Sequence, residues 1–302
     1  MFPPQFGSVT GSDAAACKPH CREDTLQGWA QMNPDEGRSR LHVHRGFSSR
    51  YLPDDRDLMV YLPPGYEQEP ERRYPVLYMN DGQNLFDDET AYVRGRSWKM
   101  AEAADATIAA GEAEPLIIVG IANAGERRLA EYTPTRDWKM GGGEADRYGQ
   151  MLVDELLPYI ATRYRVRPDT FSRGLGGSSL GALAALYLGL RHQDVFGRLG
   201  VLSPSVWWNH RVILSLVGET APLLGTRPKV WLDIGEGEGR RAVADAEMLE
   251  RRLRSRGWRP GVELSYSLIP GAMHDEAAWA MRVRPMLHFL FPAREGALSG
   301  RF

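Results

Sequence analysis

The sequence predicts an α/β fold, a single domain on a mostly parallel sheet with antiparallel N-terminal strands and helices on both faces. Three observations predict it. From about residue 40 onward, short apolar runs rich in β-formers alternate with helical patterns. The run Pro115 to Ile121 (PLIIVGI) is apolar on both faces, as a strand covered by helices must be. The chain also carries no internal repeat or low-complexity tract that would suggest a solenoid or an array.

Residues 1–39 hold many turn formers (Pro3, Pro4, Gly7, Gly11, Pro19, Pro34, Gly37) and little apolar periodicity, which predicts an extended or partly ordered arm ahead of a domain over 40–302. Leu41 to Tyr51 and Asp57 to Leu62 alternate as two antiparallel strands, closed by Pro63-Pro64-Gly65. Pro75 to Asn80 is a short apolar strand ending at Asp81-Gly82, and Trp98 to Ala110 reads as a helix. Ala145 to Arg163 places Tyr148, Leu152, Leu156 and Tyr159 on one stripe, with Met151 and Ile160 beside it, as in one long amphipathic helix. A strand over Ser172 to Gly176 leads to a helix after Ser179, and another strand ends near Leu202. The remaining elements are a strand from Pro228 to Ile234, a helix from Arg240 to Arg256, a strand from Val262 to Ile269 and a last helix from Glu276 to Leu290.

Composition narrows the function. With 43% hydrophobic and 25% charged residues in 302, the chain is globular with a sizeable core. Its 37 basic and 39 acidic residues give a net charge of −2, so no overall field recruits a nucleic acid or an anionic membrane. No run approaches the roughly 20 apolar residues of a membrane span, and Met1 to Ala30 lacks the apolar core of a secretory signal, so a cytoplasmic location is expected. The two cysteines, Cys17 and Cys21, flank His20 and are too few for a disulfide framework or a complete zinc site; no metal and no cofactor is expected.

The chemistry is carried by Gly177-Ser178-Ser179-Leu180-Gly181, a G-x-S-x-G sequence with a strand before it and a helix after it. A nucleophile on such a tight turn projects its hydroxyl above the carboxyl edge of the sheet, and small neighbours let the turn close. The helix amino end then faces any oxyanion that forms. In this arrangement an acid follows the next strand but one, and a histidine comes last after a further strand. Of seven histidines only His274 lies in such a loop, after Pro270-Gly-Ala-Met. Its imidazole is the expected general base for Ser179, with a carboxylate on its other nitrogen fixing the tautomer. Glu238 is the expected carboxylate, with Asp233 and Glu236 as rivals, because spacing alone does not fix a side-chain direction. His42 and His44 alternate on one face of a strand and read as half-exposed, while His192, His210 and His288 have no acidic or cysteine partners in sequence.

At this point the chain resembles the esterase branch of the α/β hydrolases that contains feruloyl and acetyl-sugar esterases, siderophore esterases of the enterochelin type, S-formylglutathione hydrolase and mycolyl transferases. The resemblance runs from about Arg40 to Phe291 through Val60-Tyr-Leu-Pro-Pro-Gly-Tyr66, Tyr74 to Asp87 (YPVLYMNDGQNLFD), Arg128 with Glu131-Tyr-Thr-Pro134, Gly177 to Gly181, Ser203-Pro-Ser-Val-Trp-Trp208 and Pro270 to Trp279. It implies an α/β-hydrolase catalytic domain and a serine carboxylic-ester hydrolase acting on a small or medium ester through an acyl-enzyme. Acyl transfer to an alcohol acceptor, or a non-catalytic binding protein on the same fold, are the alternatives. The resemblance further implies an oxyanion hole from the backbone N–H groups of Gln83 and Leu180. The acid region departs from the family pattern, reading Gly-Glu-Gly-Glu where relatives often carry Gly-Thr-x-Glu or Gly-x-x-Asp. Trp98, Tyr132, Trp207 and Trp208 fall in loops or at element ends where they are expected to border a cleft and bind a flat phenolic or sugar group, with core packing expected for at least one of Trp207 and Trp208. Arg127 and Arg128 pair as a solvated surface or meet an anionic acyl group, and Arg128 is the candidate contact.

Overall fold

The computed structural model describes residues 22–25, 40–220 and 227–293. Most of the predicted arm, with Cys17, His20 and Cys21, lies outside the described residues. Its segment Arg22–Thr25 is strand β1, paired antiparallel with β2.

The strands β1, β2 (Arg40–Phe47), β3 (Arg56–Leu62), β4 (Val76–Asn80), β5 (Ile117–Ile121), β6 (Arg173–Ser178), β7 (Arg198–Leu202), β8 (Lys229–Gly235) and β9 (Leu264–Ile269) form one nine-stranded sheet in the order β1-β2-β3-β5-β4-β6-β7-β8-β9. β1 to β3 are antiparallel neighbours, β3 is antiparallel to β5, and every pairing from β5 across to β9 is parallel. The chain leaves β4 for β5 on one side and returns to β6 on the other. Such a reversal of strand order opens a crevice at the carboxyl ends of β4 and β6, where ligands bind in sheets of this kind.

The helices are α1 (Met100–Ala109), α2 (Arg128–Glu131), α3 (Ala145–Gln150), α4 (Leu157–Arg163), α5 (Leu180–Arg191), α6 (Trp208–Glu219), α7 (Arg240–Ser255), α8 (Glu276–Ala280) and α9 (Val283–Leu290). They cover both faces of the sheet, which is why β4 and β5 are buried at every position. Along β4, Val76 and Tyr78 enter the core beneath α5 while Leu77 and Met79 enter the core beneath α1 and α9. α5 is buried at every position except Arg191. Among the described residues no helix is long and apolar enough to cross a membrane.

Two predicted helices are broken, each beside a proline. The stretch expected as one helix over Ala145 to Arg163 is α3, a π-helical segment Met151–Leu156 and then α4. Pro158 has no N–H to return to the preceding turn, and widening that turn relieves the clash of its ring. The buried stripe of Tyr148, Met151, Leu152, Leu156, Tyr159 and Ile160 persists across the break. Glu276 to Leu290 divides into α8 and α9 around Met281 and Arg282, because Pro285 excludes a helical bond to the carbonyl of Met281. The first predicted strand ends at Phe47 rather than Tyr51. His44 on that strand is buried, with its ring nitrogens on the hydroxyls of Tyr159 (3.0 Å) and Tyr164 (2.5 Å), so tertiary partners replace the expected solvent.

Candidate active site

Ser179 stands between β6 and α5 with φ 56° and ψ −121°, a conformation that costs a non-glycine residue energy and persists only where its surroundings hold it. They do so through the end of β7: the Ser179 amide donates to the Leu202 carbonyl (3.0 Å), and the Ser205 amide donates to the Ser179 carbonyl (3.1 Å). A Cβ on Gly177 would stand 2.9 Å from the backbone of Gly181, so only glycine allows the strand and helix to approach this closely.

His274 arrives from the loop after β9. Its Nε2 lies 3.0 Å from Ser179 Oγ, and its Nδ1 lies 2.6 Å from Glu238 Oε2. The imidazole edge packs against the Trp279 ring at 4.9 Å between centroids and 82° between planes. Half of the histidine faces solvent, at 45% side-chain exposure, whereas Glu238 is almost fully covered. Ser205 Oγ is a second hydroxyl 3.3 Å from Ser179 Oγ.

The three rival carboxylates, Asp233 near the end of β8 and Glu236 and Glu238 after it, have different surroundings. Glu238 Oε1 accepts from Ser203 Oγ (2.5 Å) and the Gly235 amide (2.8 Å), leaving Oε2 for the histidine. Burial would push this carboxyl up, but the hydrogen bonds from His274, Ser203 and Gly235 outweigh it and hold the group below its ordinary value, so it stays ionised. Asp233 does not reach the histidine. It accepts from Arg282 Nη1 (2.8 Å), the Trp231 indole (2.7 Å) and the Ser203 amide (3.2 Å), and burial pushes it upward. Glu236 accepts from the amide of Gly271 (3.2 Å) and braces the histidine loop.

Sequence reasoning missed Arg282, Ser203 and Trp279, which tie these parts together. Arg282 Nη1 and the Trp279 indole both donate to Ser203 Oγ, at 2.7 and 3.1 Å, and Arg282 Nη2 lies 3.7 Å from Glu238. One signal for Arg282 was available: it sits four residues before Met286 on the apolar stripe of the last helix, where a charge needs a buried partner.

On the other side of Ser179, the turn after β4 carries Asn80, Asp81, Gly82 and Gln83. Asn80 Nδ2 donates to the Gly181 carbonyl (2.8 Å) and its Oδ1 accepts from the Tyr148 hydroxyl (2.7 Å), joining this turn to the start of α5. Gln83 lies in the short helical turn Gly82–Asn84 after β4, and Leu180 is the first residue of α5. The described residues contain no group of three His, Cys, Asp or Glu side chains placed to hold a metal ion.

The expected aromatic border is corrected by burial. Trp98, Tyr132 and Trp208 are in the core: Trp98 packs beneath Trp279, Tyr132 against Tyr148, and the Trp208 indole donates to the Thr135 carbonyl. Side chains with no exposed surface cannot stack on a ligand. Trp207 alone of the four is exposed, at 44%, two residues beyond Ser205. Arg127 and Arg128 are not free cations. Arg127 meets Glu144 and Asp54, and Arg128 clasps Asp81 through two hydrogen bonds.

Residues 49–290 match the family model described as "Putative esterase". The uncharacterized protein YbbA of Bacillus subtilis is 24% identical over 270 residues, covering 84% of this chain and 100% of YbbA. An endo-1,4-beta-xylanase/feruloyl esterase of Xylanibacter ruminicola is 32% identical over 151 residues, which is 48% of this chain and 19% of that protein. An IroE-like serine hydrolase from Shewanella oneidensis superposes with a TM-score of 0.68 at 22% identity, covering 83% of this chain and 80% of that one, a likeness of fold.

Proposed function

The chain belongs to this esterase family, and from that premise we propose that it is a serine carboxylic-ester hydrolase with Ser179 as nucleophile, His274 as general base and Glu238 as the carboxylate that orients the imidazole. The observation that carries the reading is the continuous line from Ser179 Oγ through His274 to Glu238, at 3.0 and 2.6 Å. In the first step, His274 Nε2 takes the hydroxyl proton as Ser179 Oγ attacks the ester carbonyl. The negative oxygen of the tetrahedral intermediate accepts from the amides of Gln83 and Leu180, each worth about 3 kcal/mol in comparable sites. The ionised Glu238 stabilises the imidazolium, which returns the proton to the departing alcohol. Water, deprotonated by the same histidine, then releases the acid from the acyl-enzyme.

The substrate class follows from the openness of the site. His274 is half exposed and Trp207 and Met273 stand exposed nearby. A small or medium ester fits such a site, with Trp207 offering one flat apolar surface to a ring. Relatives named as a feruloyl esterase and as a siderophore enterobactin esterase support an ester as the substrate.

The test is turnover of p-nitrophenyl acetate and butyrate together with labelling by a fluorophosphonate. Wild-type protein is expected to show both, with the label on Ser179, and Ser179→Ala to show neither. Folded wild-type protein that does neither would overturn the reading.

A further inference from the structure

We propose that Arg128 is a positioning residue for the ester hydrolysis argued above, cancelling the charge of Asp81 beside the oxyanion-binding amides rather than holding substrate. The inference rests on the serine-hydrolase reading and deepens it at one residue. Asp81 closes β4 in the left-handed region, at φ 58°, two residues before Gln83. Its Oδ2 lies 3.0 Å from the point where a Cβ on Gly181 would stand, so the carboxylate sits at the first turn of α5, next to Leu180. Both proposed donors therefore flank a buried anion.

An uncompensated carboxylate there would work against catalysis in two ways. It would occupy the positive end of α5 that a transient oxyanion needs. It would also repel that oxyanion directly, through surroundings that screen poorly.

Arg128 answers this charge. Its Nε and Nη2 donate to Asp81 Oδ1 and Oδ2 at 2.7 and 2.8 Å, the two-pronged fit of a guanidinium on a carboxylate. The guanidinium lies 5.3 Å from the centroid of the Tyr132 ring, whose hydroxyl accepts from the Asp81 amide at 3.2 Å. Burial alone would weaken its hold on a proton, but the bonds to Asp81 more than compensate, and it stays charged. Glu276 at the start of α8 also interacts electrostatically with it. Facing two carboxylates, Arg128 has no surplus charge for an anionic substrate.

The turn has other ties besides this ion pair. Asn123 Nδ2 donates to Asp81 Oδ1 at 2.7 Å, and Asn80 joins the turn to Gly181 and Tyr148. Charge, rather than shape, is what Arg128 adds.

Steady-state kinetics on an uncharged short-chain ester separate the two roles, using Arg128→Gln, Asp81→Asn and the double variant, each checked for folding by thermal melting. Arg128→Gln is expected to lower kcat roughly 10- to 100-fold with KM within about twofold, the scale of one unit charge a few ångströms away. Asp81→Asn, which removes the same ion pair but leaves no stray anion at the turn, is expected to keep kcat within about threefold, and the double variant to recover to within about fivefold of wild type. Equal losses in both single variants with no recovery in the double would mean a brace for the loop and overturn the proposal. So would an unchanged kcat on the neutral ester in Arg128→Gln. If Arg128→Gln does not fold, Asp81→Asn decides alone: kcat within about threefold of wild type supports the proposal, and a loss of about tenfold or more overturns it. Wild-type protein with neither turnover nor fluorophosphonate labelling is a different pattern, in which the hydrolase reading itself falls and takes this inference with it.

Discussion

Ser179 is flanked by two Asp–Arg pairs built alike in chemistry and unlike in surroundings. On the histidine side, Arg282 and Asp233 are both dry, at 2% and 0% side-chain exposure, and share Ser203 with the covered Glu238. On the other side Asp81 is covered, but Arg128 keeps 28% of its side chain in solvent. The dry pair lies beneath the reacting groups and sets where Glu238 and the histidine loop stand. The half-wet pair lies beside the place proposed for developing negative charge, where its effect is on potential. The two similar ion pairs differ in solvent access, and the roles proposed for them differ with it.

The strongest test of this contrast removes what both flanks serve. Ser179→Ala or His274→Ala is expected to lower kcat by about 10⁴- to 10⁶-fold, and the double variant to be little worse than either, since the two act as a unit; ester turnover measured at enzyme saturation checks this. Glu238→Gln is expected to cost less, about 10³- to 10⁴-fold in kcat, because the serine, histidine and oxyanion amides remain. A loss under tenfold in the same assay would mean that the histidine is oriented by its other neighbours.

Arg282→Met sharpens the difference between the pairs, since it strands a buried Asp233. It is expected to cost about 3–5 kcal/mol of folding stability, read from urea unfolding. Arg128→Gln is expected to cost less in the same measurement, because Asn123 still donates to the Asp81 carboxylate left behind. Trp207→Ala is expected to reduce kcat/KM for an aryl ester by about tenfold while leaving vinyl acetate nearly unaffected, the difference being one aromatic contact.

The smallest effect concerns pH. The folded state holds the Glu238 carboxyl below its ordinary value of 4.5, so its contribution to stability is full above that pH and is lost as pH falls through the lower folded value. Asp233 is shifted upward by burial and contributes in the opposite sense, most at low pH and less as pH rises. Glu238→Gln is therefore expected to flatten the acid side of the stability curve, measured by urea unfolding across about pH 3 to 7. An unchanged acid limb would mean that other carboxylates dominate it.

Much of the architecture was legible in the chain because it rests on local patterns. The apolar strands alternate with helices, and Gly177 to Gly181 marks a strand-to-helix turn through its small residues alone. Order along the chain was enough to nominate His274 and to narrow the acid to three residues at the end of β8 and just beyond it. What stayed hidden depended on direction and distance. Glu238, Glu236 and Asp233 lie within six residues of one another, yet they point to a histidine, a loop amide and a buried arginine respectively.

Periodicity and turn chemistry within the sequence therefore determined the strands, most helices, the serine turn and the class of its partners, since each depends on neighbours a few residues away. Which aromatic side chains face the cleft, which carboxylate meets the imidazole and which arginine is roofed over were decided by tertiary packing. Burial and hydrogen bonding are properties of the space between distant segments, and Trp98, Tyr132 and Trp208 disappear into the core only once that space closes.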